Sequence, residues 1–374
     1  MKLKHLTFIL ILCLIPILLV EGLLQLIDKP KYIDEIRVGW KYQGEATNIN
    51  QLGYRGQKIN YKQGDYVIVL LGDSQVEADA MSPENMPEKI LERYLKDSIP
   101  NVKVFSIGTG GQGNDQQMEA LQEYFESYRA DLVLQWFTPA NDVWNNLFPT
   151  HIPKDGQPKP TYHLEKGELA GPYLKRDSLI IKNSTWKLGH LFQRVFLNPL
   201  IGIDDNYASK YLPEPIKGQS QKPVQYFDWK LPETENFTNE KTHFILEFEN
   251  VSPRAQYGII LTKKLFKRTQ NISENNHARY ILFDRESVPH ASIDTSSYYV
   301  FKNNEYFKVS KKRLQNSVNE ILNEFTSYDL PLEIKDYRVS KTDGHLNLES
   351  NLQVLKSLSD SLFANHVLPV KNLN

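Results

Sequence analysis

Tyr66-Val67-Ile68-Val69-Leu70-Leu71-Gly72-Asp73-Ser74 is the stretch on which the reading of this chain turns. An unbroken run of branched apolar residues is what a strand buried on both faces of a parallel sheet requires. Open α/β sheets keep their sites at the carboxyl ends of such strands, and Ser74 falls in the sharp turn just beyond this one. Gly72 is expected to supply the tight turn, and Ser74 to stand at the mouth of a helix whose amides face an anion. By composition alone a Gly-Asp-Ser triplet arises by chance in roughly one chain in ten of this length. The plainer alternative is a polar turn in which Ser74 is only a helix N-cap.

Three further segments weigh against that alternative. Ser106-Ile107-Gly108-Thr109-Gly110-Gly111-Gln112-Gly113-Asn114 follows a second apolar run, Val102 to Phe105. Thr138-Pro139-Ala140-Asn141-Asp142 follows a third, Leu132 to Phe137, and Asp343-Gly344-His345-Leu346-Asn347 stands near the C-terminus. In order and separation these blocks resemble those of the SGNH (GDSL-like) hydrolase superfamily. The resemblance covers about Tyr66 to Phe363 apart from a long central insertion, and is strongest in the four blocks.

Acyl transfer needs a hydroxyl nucleophile, a base within hydrogen-bond reach, and a group that orients the base. It also needs donors aimed at the oxygen that becomes negative. The resemblance implies that Ser74 is the nucleophile, His345 the general base and Asp343 its partner. It assigns the oxyanion donors to the Ser74 amide, the Gly111 amide and the Asn141 side chain, with Asp73 and Asp142 in support. Gly108 and Gly110 stand close enough to Gly111 to compete for its role. Two details depart from the commoner pattern. Pro139 takes the glycine position of the third block and has no amide proton to donate. The last block reads Asp-x-His, as in membrane-anchored relatives and the O-acetyltransferase-like branch that modifies bacterial exopolysaccharides. Asp343 and His345 are also metal-ligand types, but no second His/Cys/Asp cluster with ligand spacing accompanies them. No metal or other cofactor is implied.

The composition supports a folded chain. A chain of 374 residues with 40% hydrophobic and 11% aromatic residues can bury a sizeable core. A net charge of −1 gives no electrostatic reason to expect a nucleic-acid partner. Cys13 is the single cysteine, so no intramolecular disulfide can form. Lys2 and Lys4 precede an apolar segment from Leu6 to Val20, which fits a signal peptide or a short signal anchor. No small-x-small cleavage site follows, and the anchor is the expectation. The positive-inside rule then puts the rest of the chain outside the cytoplasm, in the periplasm or at the cell surface.

Three parts are therefore expected: an anchor or uncleaved signal over 1–27, a connecting segment over 28–60, and a hydrolase-like domain over 61–374. Within the connection, Asn50-Gln51-Leu52-Gly53-Tyr54-Arg55 resembles a segment that precedes the catalytic domain in anchored relatives. Helical spacing marks Pro87–Lys96, Asp115–Arg129, Arg254–Arg268, a stretch around Leu314 to Phe325, and a closing stretch through Leu352 to Leu362. Strands are expected at Tyr280–Phe283 and around Leu332–Ile334, and a hairpin at Tyr298–Val309 about Asn303-Asn304. His243–Phe248 reads as strand or helix. Alternation of this kind predicts a mostly parallel sheet with helices on both faces, and the resemblance implies the flavodoxin-like three-layer α/β/α form of it.

A large insertion after the third strand, about 145–240, is too long to be a structureless loop. A lid or small subdomain over the site is expected. Trp144, Trp186, Tyr207, Tyr211, Tyr226 and Trp229 are candidates to stack on sugar rings or to be core, and core is the better expectation for any one. Asn183, Asn236 and Asn271 form Asn-x-Ser/Thr sequons.

The function expected is a serine esterase or acyltransferase acting on a short acyl group, acetyl above all, of a cell-envelope carbohydrate. Two rivals stand beside it. One is a catalytically inactive protein of the same fold that binds polysaccharide or assists polymer assembly. The other is a lipase or thioesterase, which would need a broad apolar groove.

Overall fold

The run that begins at Tyr66 is the inner strand of a sheet. In strand β1 (Tyr66–Gly72) every residue from Val67 to Leu71 is fully buried. Val67, Val69 and Leu71 enter one apolar cluster, and Ile68 and Leu70 enter another on the opposite face. A strand alternates its side chains between faces, so two covered faces leave no polar position. The computed structural model describes residues 48–147, 159–173, 246–285, 297–302, 305–332 and 336–369 without 341–342, with residues 188 and 334 and short pieces between 5 and 42.

The other strands of the sheet are β2 (Val102–Gly108), β3 (Leu132–Trp136), β4 (Arg279–Arg285) and β5 (Ser327–Leu330). All pairings are parallel, in the order β5-β4-β3-β1-β2. This is the expected flavodoxin-like order, whose direction reverses between β1 and β3. The Ser74 turn follows β1 and the Thr138–Asp142 block follows β3, so two of the four blocks meet at the switch point.

Seven helices matter to the site: α1 (Ser74–Glu77), α2 (Pro87–Lys96), α3 (Asn114–Phe125), α4 (Pro139–Asn145), α5 (Pro253–Asn275), α6 (Lys311–Leu322) and α7 (Leu348–Ala364). Met118 and Leu121 of α3, Ile259 and Leu265 of α5, and Ile321 of α6 fill the first apolar cluster. Ile90 and Leu91 of α2 and Leu355 and Leu358 of α7 fill the second. The result is the expected α/β/α sandwich.

Local differences have local causes. Helix α5 continues past Arg268 to Asn275 because Ile272 and Ser273 still face the core, with Ser273 Oγ donating to the Thr269 carbonyl at 3.0 Å. The last sheet strand is Ser327–Leu330, not residues around Leu332–Ile334. Leu330 is the buried residue there, and Pro331 has no N–H with which to extend the ladder. The hairpin expected about Asn303-Asn304 is present, with Ser297–Lys302 antiparallel to Glu305–Ser310. Of His243–Phe248 only the last part is described, and Leu246 and Phe248 are buried in a turn and a bridge rather than a strand or helix.

Most of the insertion lies outside the described residues, including Trp186, Tyr207, Tyr211, Tyr226, Trp229, Asn183 and Asn236. Trp144 is core, 1% exposed, and Asn271 is exposed on α5. The described part is a hairpin, Thr161–Glu165 with Glu168–Tyr173. It packs on α3 and α5. Lys159 pairs with Asp115 in a fully buried ion pair, the Tyr162 hydroxyl bonds Glu119, and the Leu164 amide donates to Tyr257 Oη at 3.0 Å. Cys13 also lies outside the described residues. Residues 14–23 are helical and expose Leu14, Ile15, Leu18, Leu19 and Leu23. Of the segment Leu6–Val20 in which an anchor is expected, residues 6–11 and 13 lie outside the described residues; among the described residues no helix is long and apolar enough to cross a membrane.

Candidate active site

Gly72 closes β1 at a place where no side chain fits. A Cβ there would lie 2.6 Å from Val76 Cγ2 and 3.3 Å from Trp136 Cβ. Its cross-strand partner Gly108 is as confined, with Gly72 O at 2.8 Å and Val76 Cβ at 2.9 Å. Close approach, rather than the expected tight turn, is what both glycines supply, since neither has a positive φ. Helix α1 can therefore sit directly on the end of the sheet.

Asp73, not Ser74, caps that helix. Its Oδ1 accepts from the Gln75 amide at 3.0 Å, and its carbonyl accepts from Val76 and Glu77. Of the helix amides expected to face an anion, those of Gln75, Val76 and Glu77 are thereby occupied. Ser74 is the first residue of the single-turn helix, so its hydroxyl is not needed as a cap. Asp73 is fully buried and accepts twice more, from Asn141 Nδ2 at 2.8 Å and Thr138 Oγ1 at 3.3 Å.

The third block is organised by Asp142. Its Oδ2 accepts from the Thr138 amide at 2.9 Å and Asn114 Nδ2 at 3.2 Å, and its Oδ1 from Gln117 Nε2 at 3.2 Å. Burial first, and the charge of Asp73 second, push its carboxyl well above the usual carboxylate range. Pro139 opens α4 at a position where a missing N–H costs nothing.

In the second block the three competing glycines take different roles. Gly108 packs, as described. The Gly110 amide donates to Glu77 Oε2 at 2.6 Å, so its proton is engaged. Gly111 adopts φ +75°, a left-handed conformation that favours glycine.

The fourth block arrives on a short antiparallel pair, Arg338–Ser340 with Asp343–Leu346, outside the main sheet. His345 Nδ1 lies 2.5 Å from Asp343 Oδ1, and the His345 amide donates to the same oxygen at 3.0 Å. Burial pulls the Asp343 carboxyl up, but these two bonds and the imidazole's charge outweigh it and leave the group below its ordinary value. The pair leaves Nε2 as the ring nitrogen available for proton transfer. Gln75, next to Ser74, accepts from the Leu346 amide at 3.4 Å and ties this arm to the first block.

Ser74, Asp343 and His345 line one cavity of about 300 Å³. Its other walls are Gln75, Glu77, Ala78, Asp79, Ala80, Met81, Gly110, Val339, Leu346 and Asn351. The structure thus brings the expected nucleophile, base and orienting acid to one hollow. Asn141 stands behind Asp73, and Gly111 stands beyond Gly110; neither is among the lining residues. No described residue of the insertion lines it either. Among the described residues no group of three or more His, Cys, Asp or Glu side chains is placed to hold a metal ion. Sequence reasoning missed Gln75 and Glu77, whose only signal was position: one and three residues after Ser74 on a helix of one turn.

No family model matches the chain, and no curated protein matches it by sequence. Among solved structures it is similar to an acetyl xylan esterase from Butyrivibrio proteoclasticus at 10% identity, over 88% of this chain and 68% of that one, with a TM-score of 0.36. It is also similar to a carbohydrate acetylesterase family member from Sinorhizobium meliloti at 12% identity, over 81% of this chain and 100% of that one, with a TM-score of 0.32.

Proposed function

We propose that the protein is a serine esterase or O-acyltransferase of the SGNH type. Its substrate would carry a short acyl group, acetyl above all, on a cell-envelope carbohydrate. One observation carries this: Ser74 at the end of β1 opens on the same cavity as a His345 imidazole already hydrogen-bonded through Nδ1 to Asp343.

The chemistry follows from those roles. Ser74 Oγ attacks the ester carbonyl carbon while its proton passes to His345 Nε2, and Asp343 stabilises the imidazolium that forms. The resemblance assigns the tetrahedral oxyanion to the Ser74 and Gly111 amides and the Asn141 carboxamide, of which Ser74 alone lines the cavity. His345 returns the proton to the departing sugar oxygen, leaving an acyl-Ser74. Water or a second sugar hydroxyl, deprotonated by His345, attacks the acyl carbon and releases Ser74. Exclusion of water and occupancy by an acceptor decide which of the two wins.

Cavity size supports the short acyl group. About 300 Å³ is at the small end for ligand sites, enough for an acetyl group and part of one sugar ring. The cavity gives little room to a long acyl chain, which disfavours a lipase or thioesterase. Activity on aryl esters is therefore expected to fall as the acyl chain lengthens beyond a few carbons. Activity rising toward long chains would contradict the acetyl reading. The carbohydrate is read from the resemblance to exopolysaccharide-modifying enzymes. Membrane attachment through the N-terminal segment, with the catalytic domain in the periplasm or at the cell surface, is supported by Lys2 and Lys4 and the exposed apolar residues of 14–23.

A second reading, a catalytically inactive polysaccharide-binding protein, draws on one observation. The Asn141 amide that should meet the oxyanion is engaged with Asp73 and lies outside the cavity lining. On that reading Ser74→Ala leaves function intact, whereas on the hydrolase reading it removes turnover.

A further inference from the structure

The segment before the catalytic domain folds into a closed loop pinned on the sheet. Asn50 Oδ1 accepts from the Leu52 and Tyr54 amides at 3.0 and 3.1 Å, while its Nδ2 donates to the Ser106 carbonyl of β2 at 3.0 Å. The Asn50 amide donates to Tyr54 O and the Gly56 amide to Asn48 O, both at 2.8 Å. Gly53 supplies the left-handed turn at φ +84°. What this loop delivers is a single charged side chain, Arg55, held 5% exposed beneath the wall of the active-site cavity.

The Arg55 guanidinium makes no carboxylate pair among the bonds described; it binds backbone. Nη1 donates to the Glu77 carbonyl at 2.8 Å and to the Ala78 carbonyl, and Nη2 donates to the Met81 carbonyl. Ala78 adopts φ +45°, a left-handed conformation unusual for a residue with a Cβ, and it ends α1. All five residues from Glu77 to Met81 line the cavity. The fork therefore holds a turn whose carbonyls converge on one point, which a lysine ammonium on a flexible stem cannot match in geometry. Glu77 carries the contact onward, since its Oε2 accepts the Gly110 amide beside Gly111.

We infer that Arg55 is a positioning residue for the reaction. It fixes the 77–81 wall on which the substrate rests and, through Glu77, the turn that presents the Gly111 amide. The segment before the catalytic domain is then part of the working site rather than a spacer. This rests on the hydrolase reading for its catalytic consequence, though not for its structural one.

The test uses the full chain and compares Arg55→Ala and Arg55→Lys with Gln51→Ala. Gln51 ties the same loop to Ile59 through bonds of 3.0 and 2.7 Å and does not line the cavity. The readouts are the rate of fluorophosphonate labelling at Ser74, the melting temperature, and backbone hydrogen exchange over residues 77–81 and 109–112. Both Arg55 variants are expected to label at least ten-fold more slowly, to exchange faster in both stretches, and to fall mainly in kcat on an aryl acetate. Gln51→Ala is expected to lower the melting temperature while labelling at the wild-type rate. Should Arg55→Ala fail to fold, Arg55→Lys carries the same expectation. Wild-type labelling and exchange in Arg55→Lys would overturn the inference, as would a labelling loss in Gln51→Ala equal to that of the Arg55 variants. A wild-type protein that does not label would contradict the hydrolase reading alone, because the exchange contrast still decides whether Arg55 holds the wall.

Discussion

The two halves of the candidate triad are built differently. Asp73 and Ser74 stand on the central sheet, where Asp73 is fully buried and bonded to Gln75, Thr138 and Asn141. Asp343 and His345 stand on a short hairpin outside the sheet, with side chains 35% and 43% exposed. Only the Gln75 side chain to the Leu346 amide, at 3.4 Å, is a described hydrogen bond between that arm and the first block. The candidate nucleophile is thus pre-positioned by the core, whereas the candidate base is placed by an arm that water reaches. Stability and catalysis should separate along the same line.

The largest expected effect is Ser74→Ala, a loss of turnover of roughly 10⁴-fold or more with little change in melting temperature. Asp343→Ala should follow, with a loss on the order of 10³-fold. Because the pair is exposed and screened, its removal should change stability by less than about 1 kcal/mol. Asp73→Ala inverts that pattern: three donors lose a buried acceptor, at about 1–3 kcal/mol for each group left unsatisfied. Chemical denaturation of both variants checks the contrast, and an Asp343→Ala protein destabilised as much as Asp73→Ala would break it. Gln75→Ala should loosen the arm alone, lowering kcat about ten-fold with a stability cost near 1 kcal/mol.

The smallest effect sharpens the picture of the sheet side. Glu88 lies buried under the N-terminal loop, accepting from Ser106 Oγ at 2.8 Å and the Gln57 amide at 3.3 Å. Burial, only partly offset by these bonds, pushes its carboxyl up to about 7 from an ordinary 4.5. Between those values the folded state keeps a proton that the unfolded chain has released. Stability from this group therefore falls as pH rises from 4.5 to 7 and is level above. Glu88→Gln should flatten the dependence of melting temperature over that window, and an unchanged slope would show that another group carries it.

The sheet was legible because strands buried on both faces announce themselves. Val67–Leu71 and Leu132–Phe137 have no polar position to blur the reading, apart from Gln135, which bonds Gln117. The order of the blocks along the chain placed Ser74 and the Asn141-Asp142 pair at the same end. Beyond contiguous runs, sequence reasoning weakened. Arg55 acts through carbonyls of residues 77, 78 and 81, and a backbone acceptor leaves no mark on the side chains it belongs to. Gly72 was read as a turn former when its role is steric, a fact set by Val76 and Trp136. The last strand was placed too late because Leu332 and Ile334 looked as apolar as Leu330, although Pro331 between them has no N–H with which to extend the ladder.

The central claim is that Ser74 and His345 work as one unit across this divide. Intact mass after fluorophosphonate treatment of the wild-type chain, Ser74→Ala and His345→Ala tests it most directly. A single adduct on wild type, mapped to Ser74, lost in Ser74→Ala and slowed by orders of magnitude in His345→Ala, is the predicted result. No adduct on wild type, or equal labelling of His345→Ala, would contradict it.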